Sequence, residues 1–199
     1  AVQIDPSYAL SWARLGEAQL ELDQEPRARQ SVLKASSLVP DRSRLRDDER
    51  LQLEAAMAMA GRETATALQA YSTLATMHPK SAPLMVDLGR VYEAAEEVPK
   101  AVAHYLQATQ IDDQNPAPFL RMGILYGRSG DRTAAEAAFK RAEELYSARS
   151  RVEGVATVSY ERGVMLDRFE RLEEAVAALQ RALQLAASVD SAHLRAAVL

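Results

Sequence analysis

Apolar residues recur at three- and four-residue intervals through nearly all of the 199 positions, the spacing that lays one stripe along an α-helix. Five stripes share a single form: Ala28, Val32, Ala35; Ala67, Tyr71, Leu74; Ala101, Tyr105, Ala108; Ala135, Phe139, Ala142; and Ala175, Leu179, Ala182. Their first members are 39, 34, 34 and 40 residues apart. Twelve residues before each stands a small residue, Gly16, Ala55, Gly89, Gly123 or Gly163. A glycine inside a helix costs about 1 kcal/mol against alanine. Four in one phase imply a close approach of a second helix that a side chain would block. The chain is therefore internally repeated, each unit a pair of packed helices.

Punctuation agrees with the period. Pro40 and Pro79 stand five residues past the stripes of the first two units, where proline stops a helix, and Pro26 and Pro99 occupy matching first-turn positions, where no hydrogen bond is lost. Gly61 and Gly130 fall between paired helices. The pattern predicts helices near 7–22, 25–38, 42–60, 63–77, 82–95, 98–111, 116–128, 132–146, 150–167 and 170–187, and another from 190 onward. The second and fifth units carry about five or six extra residues, near 41–48 and 146–152, read as lengthening the following helices by about a turn. Ser150 with Glu153, and Thr133 with Glu136, form capping-box patterns at two expected helix starts.

These residues resemble the tetratricopeptide repeat, a helix pair of about 34 residues with a Trp-x-x-Leu-Gly-x-x-Tyr, Ala-x-x-x-Phe, Ala, Pro pattern. Trp12, Leu15, Gly16, Ala28, Val32, Ala35 and Pro40 carry it in the first unit, with Gln19 where Tyr is usual. Leu88, Gly89, Tyr92, Ala101, Tyr105 and Ala108 carry it in the third, and Phe119, Met122, Gly123, Tyr126, Ala135, Phe139 and Ala142 in the fourth. The fifth has Arg162 where an apolar residue is expected. The resemblance implies an all-α fold, a right-handed superhelix (α-solenoid) forming one domain, with repeats at 7–40, 41–79, 80–113, 114–147 and 148–187 and partial repeats at 1–6 and 188–199. Since the chain opens at Ala1 and closes at Leu199 inside an apolar pattern, it reads as a segment of something longer, open to self-association through the cut repeat ends.

Composition narrows the chemistry. Without cysteine there is no disulfide framework, thiolate zinc site or Cys nucleophile. His78, His104 and His193 lie in different units without metal-binding spacing, so neither a metal nor a cofactor is expected. Twenty-four basic and 28 acidic residues, a net charge of -4, are interspersed, which leaves no nucleic-acid footprint or polybasic membrane patch. Adjacent carboxylates such as Glu96 and Glu97 point about 100° apart on a helix and suit a solvated face better than acid-base catalysis. Gly127 and Gly130 beside Arg128 and Arg132 lack the strand and the Gly-Lys-Ser/Thr of a phosphate loop. The chain is not expected to be an enzyme. Arginine outnumbers lysine 20 to 4, as in proteins of GC-rich bacterial genomes.

The family likeness implies a protein-protein interaction scaffold that holds a peptide or helix in a concave groove lined by the first helices. The alternative is a substrate-recruiting or regulatory region of a larger kinase, glycosyltransferase or transcription regulator. A cytoplasmic location is favoured. Projecting the first helices away from their packing stripes points to Val86, Leu120, Ile124 and Tyr160 as apolar contacts and Arg90, Arg121, Arg128 and Arg168 as partners for acidic residues. Glu17 and Gln52 fall on the same projected face. In relatives that bind chaperone tails, Lys and Asn of the first helices clamp a terminal carboxylate. Here Ala13, Glu17 and Leu53 occupy those places, which disfavours that role.

Overall fold

The computed structural model describes residues 5, 7–21 and 24–188. Among the described residues there are ten α-helices and no strand, arranged as consecutive helix pairs, the all-α organisation expected of an α-solenoid. They are α1 (Ala9–Glu21), α2 (Glu25–Leu38), α3 (Asp47–Ala60), α4 (Thr64–Met77), α5 (Ala82–Ala94), α6 (Val98–Ile111), α7 (Pro116–Arg128), α8 (Arg132–Ala148), α9 (Val152–Arg168) and α10 (Leu172–Ser188). The partial repeats expected at 1–6 and 188–199 fall almost wholly outside the described residues. The helix expected from 190 and His193 lie wholly outside them.

Local chemistry explains most helix ends. Residues that precede a proline are driven out of the α region. Val39 and His78, which precede Pro40 and Pro79, accordingly have φ near -130 and terminate α2 and α4. Asn115 caps α7 by accepting from the Ala117 N–H at 3.1 Å, with Pro116 in the first turn. Two expected caps are corrected. Helix α8 is capped by Asp131, which accepts from the Ala134 N–H at 3.0 Å, and not by the Thr133–Glu136 pair. Helix α9 begins after Arg151 with no side-chain cap, because Ser150 lies in the left-handed region at φ 53, unlike the extended backbone an N-cap needs.

The extra residues of the second unit are also corrected. They do not lengthen a helix: α3 has 14 residues and starts at Asp47, after a 3-10 turn over Arg42–Arg44 whose first residue follows the cap Asp41. The Asp41 carboxylate accepts from both the N–H and the hydroxyl of Ser43. It holds this joint in a shape that a continuous helix could not adopt. In the fifth unit the added residues do extend helices, since α8 and α9 reach 17 residues each.

The chain divides into two compact units, Ala1–His104 and Tyr105–Leu199. In the first, a core of Leu10, Ala13, Val32, Ala35, Leu53 and Ala56 joins α1, α2 and α3, with Trp12 packed at its edge. In the second, Phe139, Ala142, Val158, Met165 and Leu166 join α8 and α9, with Phe119 and Tyr126 of α7 against them. The small-residue series marks helix contacts as expected. A methyl group built at Gly16 would lie 2.5 Å from Val32, and one at Gly123 would lie 2.6 Å from the Phe139 ring.

Candidate functional site

In the first unit, the first-helix face is not an open wall. Ala13, Ala56 and Val86 are buried, and so are two carboxylates, Glu17 at 5% and Asp87 at 6% exposure. Burial of charge demands partners. Arg14 of α1 supplies them from one nitrogen: its Nη1 donates to Glu17 Oε2 at 2.8 Å and to Asp87 Oδ2 of α5 at 3.1 Å. Tyr71 of α4 donates its hydroxyl to Glu17 Oε1 at 2.6 Å. With the Gln52 amide of α3 turned so that its oxygen faces donors, that oxygen accepts from Arg14 Nε at 2.6 Å and from Nη2. Arg90 of α5 reaches Asp87 Oδ1 only at 3.7 Å.

The electrostatics follow from this sharing. Burial, then the neighbouring Glu17, pushes the Asp87 carboxyl up to about 7 against the pull of Arg14. Burial and Glu17 likewise push the Tyr71 phenol well above its ordinary value, so it remains a donor. For Arg14, burial works against the cation, but Glu17 and Asp87 outweigh it and raise its pKa. The cluster ties α1, α3, α4 and α5 together, with both carboxylates buried and the Arg14 side chain 41% exposed.

In the second unit the corresponding face is more accessible. Leu120, Arg121 and Ile124 on α7, and Tyr160, Glu161 and Val164 on α9, are half-buried, while Arg128 and Arg168 are exposed at the C-terminal ends of those helices. Leu120 and Ile124 lean on the core with their inner edges. Cations at those helix ends also complement the helix dipole. The projected residues thus divide between the two units. Val86 and Arg90 belong to the closed face of the first, at 5% exposure for Val86 and 17% for the Arg90 side chain, and the other six belong to the second.

Sequence reasoning placed Glu17, Gln52 and Arg90 on the first-helix face but missed Arg14, Tyr71 and Asp87. A buried-acid signal was present in Asp87, which sits inside the run Leu84, Met85, Val86, Leu88, Gly89 with an apolar residue on either side. Arg162, anomalous in the repeat pattern, brings its Nε within 2.7 Å of Glu136 on α8, so an ion pair replaces an apolar contact. A shallow depression of about 270 Å³ between α9 and α10 is lined by Ser159, Arg162, Leu166, Glu174 and Arg181. Its arginines are engaged by Glu136 and Glu143. Of the remaining histidines, His78 caps α4 and His104 stacks on Tyr92 with ring centroids 5.1 Å apart. Among the described residues no helix is long and apolar enough to cross a membrane.

No curated protein sequence matches the chain significantly. Solved structures match along its length. A thermophilic tetratricopeptide protein of Thermus thermophilus, TTC0263, superposes with a TM-score of 0.70 at 21% identity over 96% of both chains. YrrB, described as a tetratricopeptide protein with an unusual peptide-binding site, gives 0.59 at 18% identity, covering 100% of this chain and 96% of its own. MamA gives 0.63 at 15% identity over 88% of this chain and 96% of its own. Likeness at these identities establishes fold. The family profile described as tetratricopeptide repeat matches residues 54–116 and 120–190, more than half of the sequence, and with the recurrence of glycine against a bulky partner it follows that the chain belongs to the tetratricopeptide repeat family.

Proposed function

We propose that this chain is a non-catalytic protein-interaction scaffold that takes a peptide or helix on the first-helix face of its second unit. The observation that carries this reading is the pairing on α7 and α9 of accessible apolar side chains, Leu120, Ile124 and Tyr160, with Arg121, Arg128 and Arg168. A face of this make-up offers aliphatic and aromatic surface to bury and planar guanidinium groups to meet carboxylates. An amphipathic segment with acidic residues is complementary to both. YrrB, which shares this fold and is described as having a peptide-binding site, supports the same reading. On the first unit, Val86 and Arg90 would act as supports of the wall, since their surfaces are largely covered.

The test is a fluorescence-polarisation screen of capped peptides that alternate leucine with glutamate, against matched peptides with lysine in place of glutamate. Acidic peptides should bind and basic ones should not. Arg128→Glu with Arg168→Glu should reverse the preference, whereas Lys140→Glu on the second-helix surface should leave it unchanged. Binding lost through Lys140 and indifferent to the arginines would place the functional face on the second helices.

A further inference from the structure

We propose that the Arg14–Glu17–Asp87 cluster is a proton-sensitive latch: α1 is clasped onto α5 when Asp87 carries a proton and is released more readily when it does not. Acid thus closes the first-helix face of the first unit, and a rise toward neutral pH loosens it. The inference concerns the first unit alone and does not depend on peptide binding by the second.

The geometry is that of two anions on one cation. Glu17 is the better held, with Arg14 at 2.8 Å and the Tyr71 hydroxyl at 2.6 Å. Asp87 is as deeply buried but has Arg14 at 3.1 Å and Arg90 only at 3.7 Å. The groups that face it are Arg14 and Glu17 from α1, Tyr71 from α4 and Arg90 from its own helix, while α3 presents the uncharged Gln52. Tyr71 stays neutral across the physiological range, its pKa being raised. An ionised Asp87 therefore suffers desolvation and the repulsion of Glu17 with a single close cation already shared. A proton on Oδ1 removes the repulsion while Oδ2 still accepts from Arg14 Nη1, so the bond from α1 to α5 is kept and one cation faces one anion. Consistent with this, the Asp87 carboxyl lies at about 7 in the folded chain, against about 4 for a solvated aspartate.

The sign is fixed by linkage. Because the folded value is raised, the closed state binds the proton more tightly than the open one. The stabilisation is fully present below about 4 and is lost as pH rises to about 7. Opening that hydrates Asp87 is thus favoured on the alkaline side.

Hydrogen exchange of the full chain at pH 5 and pH 8, corrected for intrinsic rates, reads the latch. The opening constant of α1 amides should rise on the order of ten-fold or more between these values, relative to amides of α9. Asp87→Asn should abolish the rise and keep α1 protected at both. Should that variant fold poorly, Glu17→Gln serves instead: it removes the repelling anion and should move the midpoint to lower pH. A carboxyl carbon NMR titration of the unmodified chain should place Asp87 near 7. A midpoint near 4, or the same pH dependence in Asp87→Asn as in the parent, overturns the proposal.

Discussion

On α1, α3 and α5 the inward positions carry Ala13, Glu17, Ala56 and Asp87, all buried, and Arg14 of α1 reaches Asp87 of α5. On α7 and α9 the inward positions carry Leu120, Ile124, Tyr160 and Val164, all partly open, and Arg128 and Arg168 stand at the helix ends. One repeat architecture thus produces a closed face and an accessible one. The small side chains of α3 allow α1 and α5 to come within reach, and charge then fills the gap. Larger apolar residues on α7 and α9 leave surface that a partner can bury. A shared backbone plan therefore does not determine whether a face is covered by its own side chains or left accessible, and a few inward residues decide it.

The sharpest way to break this comparison is Arg14→Ala. It strands Glu17 and Asp87 without their shared cation, and at pH 8 it should cost about 2 kcal/mol in urea denaturation, less than for a fully buried pair because the Arg14 side chain is 41% exposed, with a smaller loss at pH 5. The counterpart Arg128→Ala should change stability by less than about 0.5 kcal/mol. If both losses are equal, the two faces do not differ as described. Packing, by contrast, should be common to both units. Gly16→Leu and Gly123→Leu should each destabilise by about 1–3 kcal/mol, since the new side chain meets Val32 or Phe139. Thermal unfolding would expose a disparity.

Binding should separate the units again. Arg128→Glu with Arg168→Glu should weaken an acidic peptide by about 1–3 kcal/mol, more so at low salt, because exposed charges are screened over about 8–10 Å. Calorimetry across ionic strength checks this, and a salt-independent loss would mean that the arginines act sterically. The smallest effects belong to the turns within helix pairs. Arg62, Glu96 and Glu170 hold φ near 60 at places where the fourth pair has Gly130 at φ 87. Each replaced by glycine should gain up to about 1 kcal/mol, whereas Gly130→Ala should lose about as much. Denaturation midpoints of the four variants would show it.

Most of the fold could be read from the chain because helix packing repeats. Gly16 opposite Val32, Gly123 opposite Phe139 and Gly163 opposite Leu179 recur at constant separation, and each is a physical contact. Gly61 lies between α3 and α4 as expected, with a helical φ of -85, and Arg62 beside it takes the left-handed position. Both capping boxes misled, however, because a competing acceptor, Asp131, or a turn through Ser150 occupied the helix start. The candidate site was less legible. Which inward residues become buried depends on how far apart three helices from three repeats finish, and no local spacing encodes that. Asp87 could be suspected from its apolar neighbours, but its tie to Arg14, 73 residues away, could not.

The added residues of the second unit, gathered in the Asp41 turn before α3, have an implication for how such chains vary in length. Because the surplus is looped out at the joint between helix pairs, the pairs on either side keep their internal phase: Gly16 still meets Val32, and Ala55 stays fully buried. A joint of this kind behaves as a splice point. Two residues of the joint must be kept, because Leu45 packs against the core and Arg42 Nη2 donates to Ser36 Oγ and Met57 Sδ at 3.2 Å, so the exposed Ser43 and Arg44 between them mark where a tag, a cleavage sequence or a further module can be accommodated at least cost to the helix pairs.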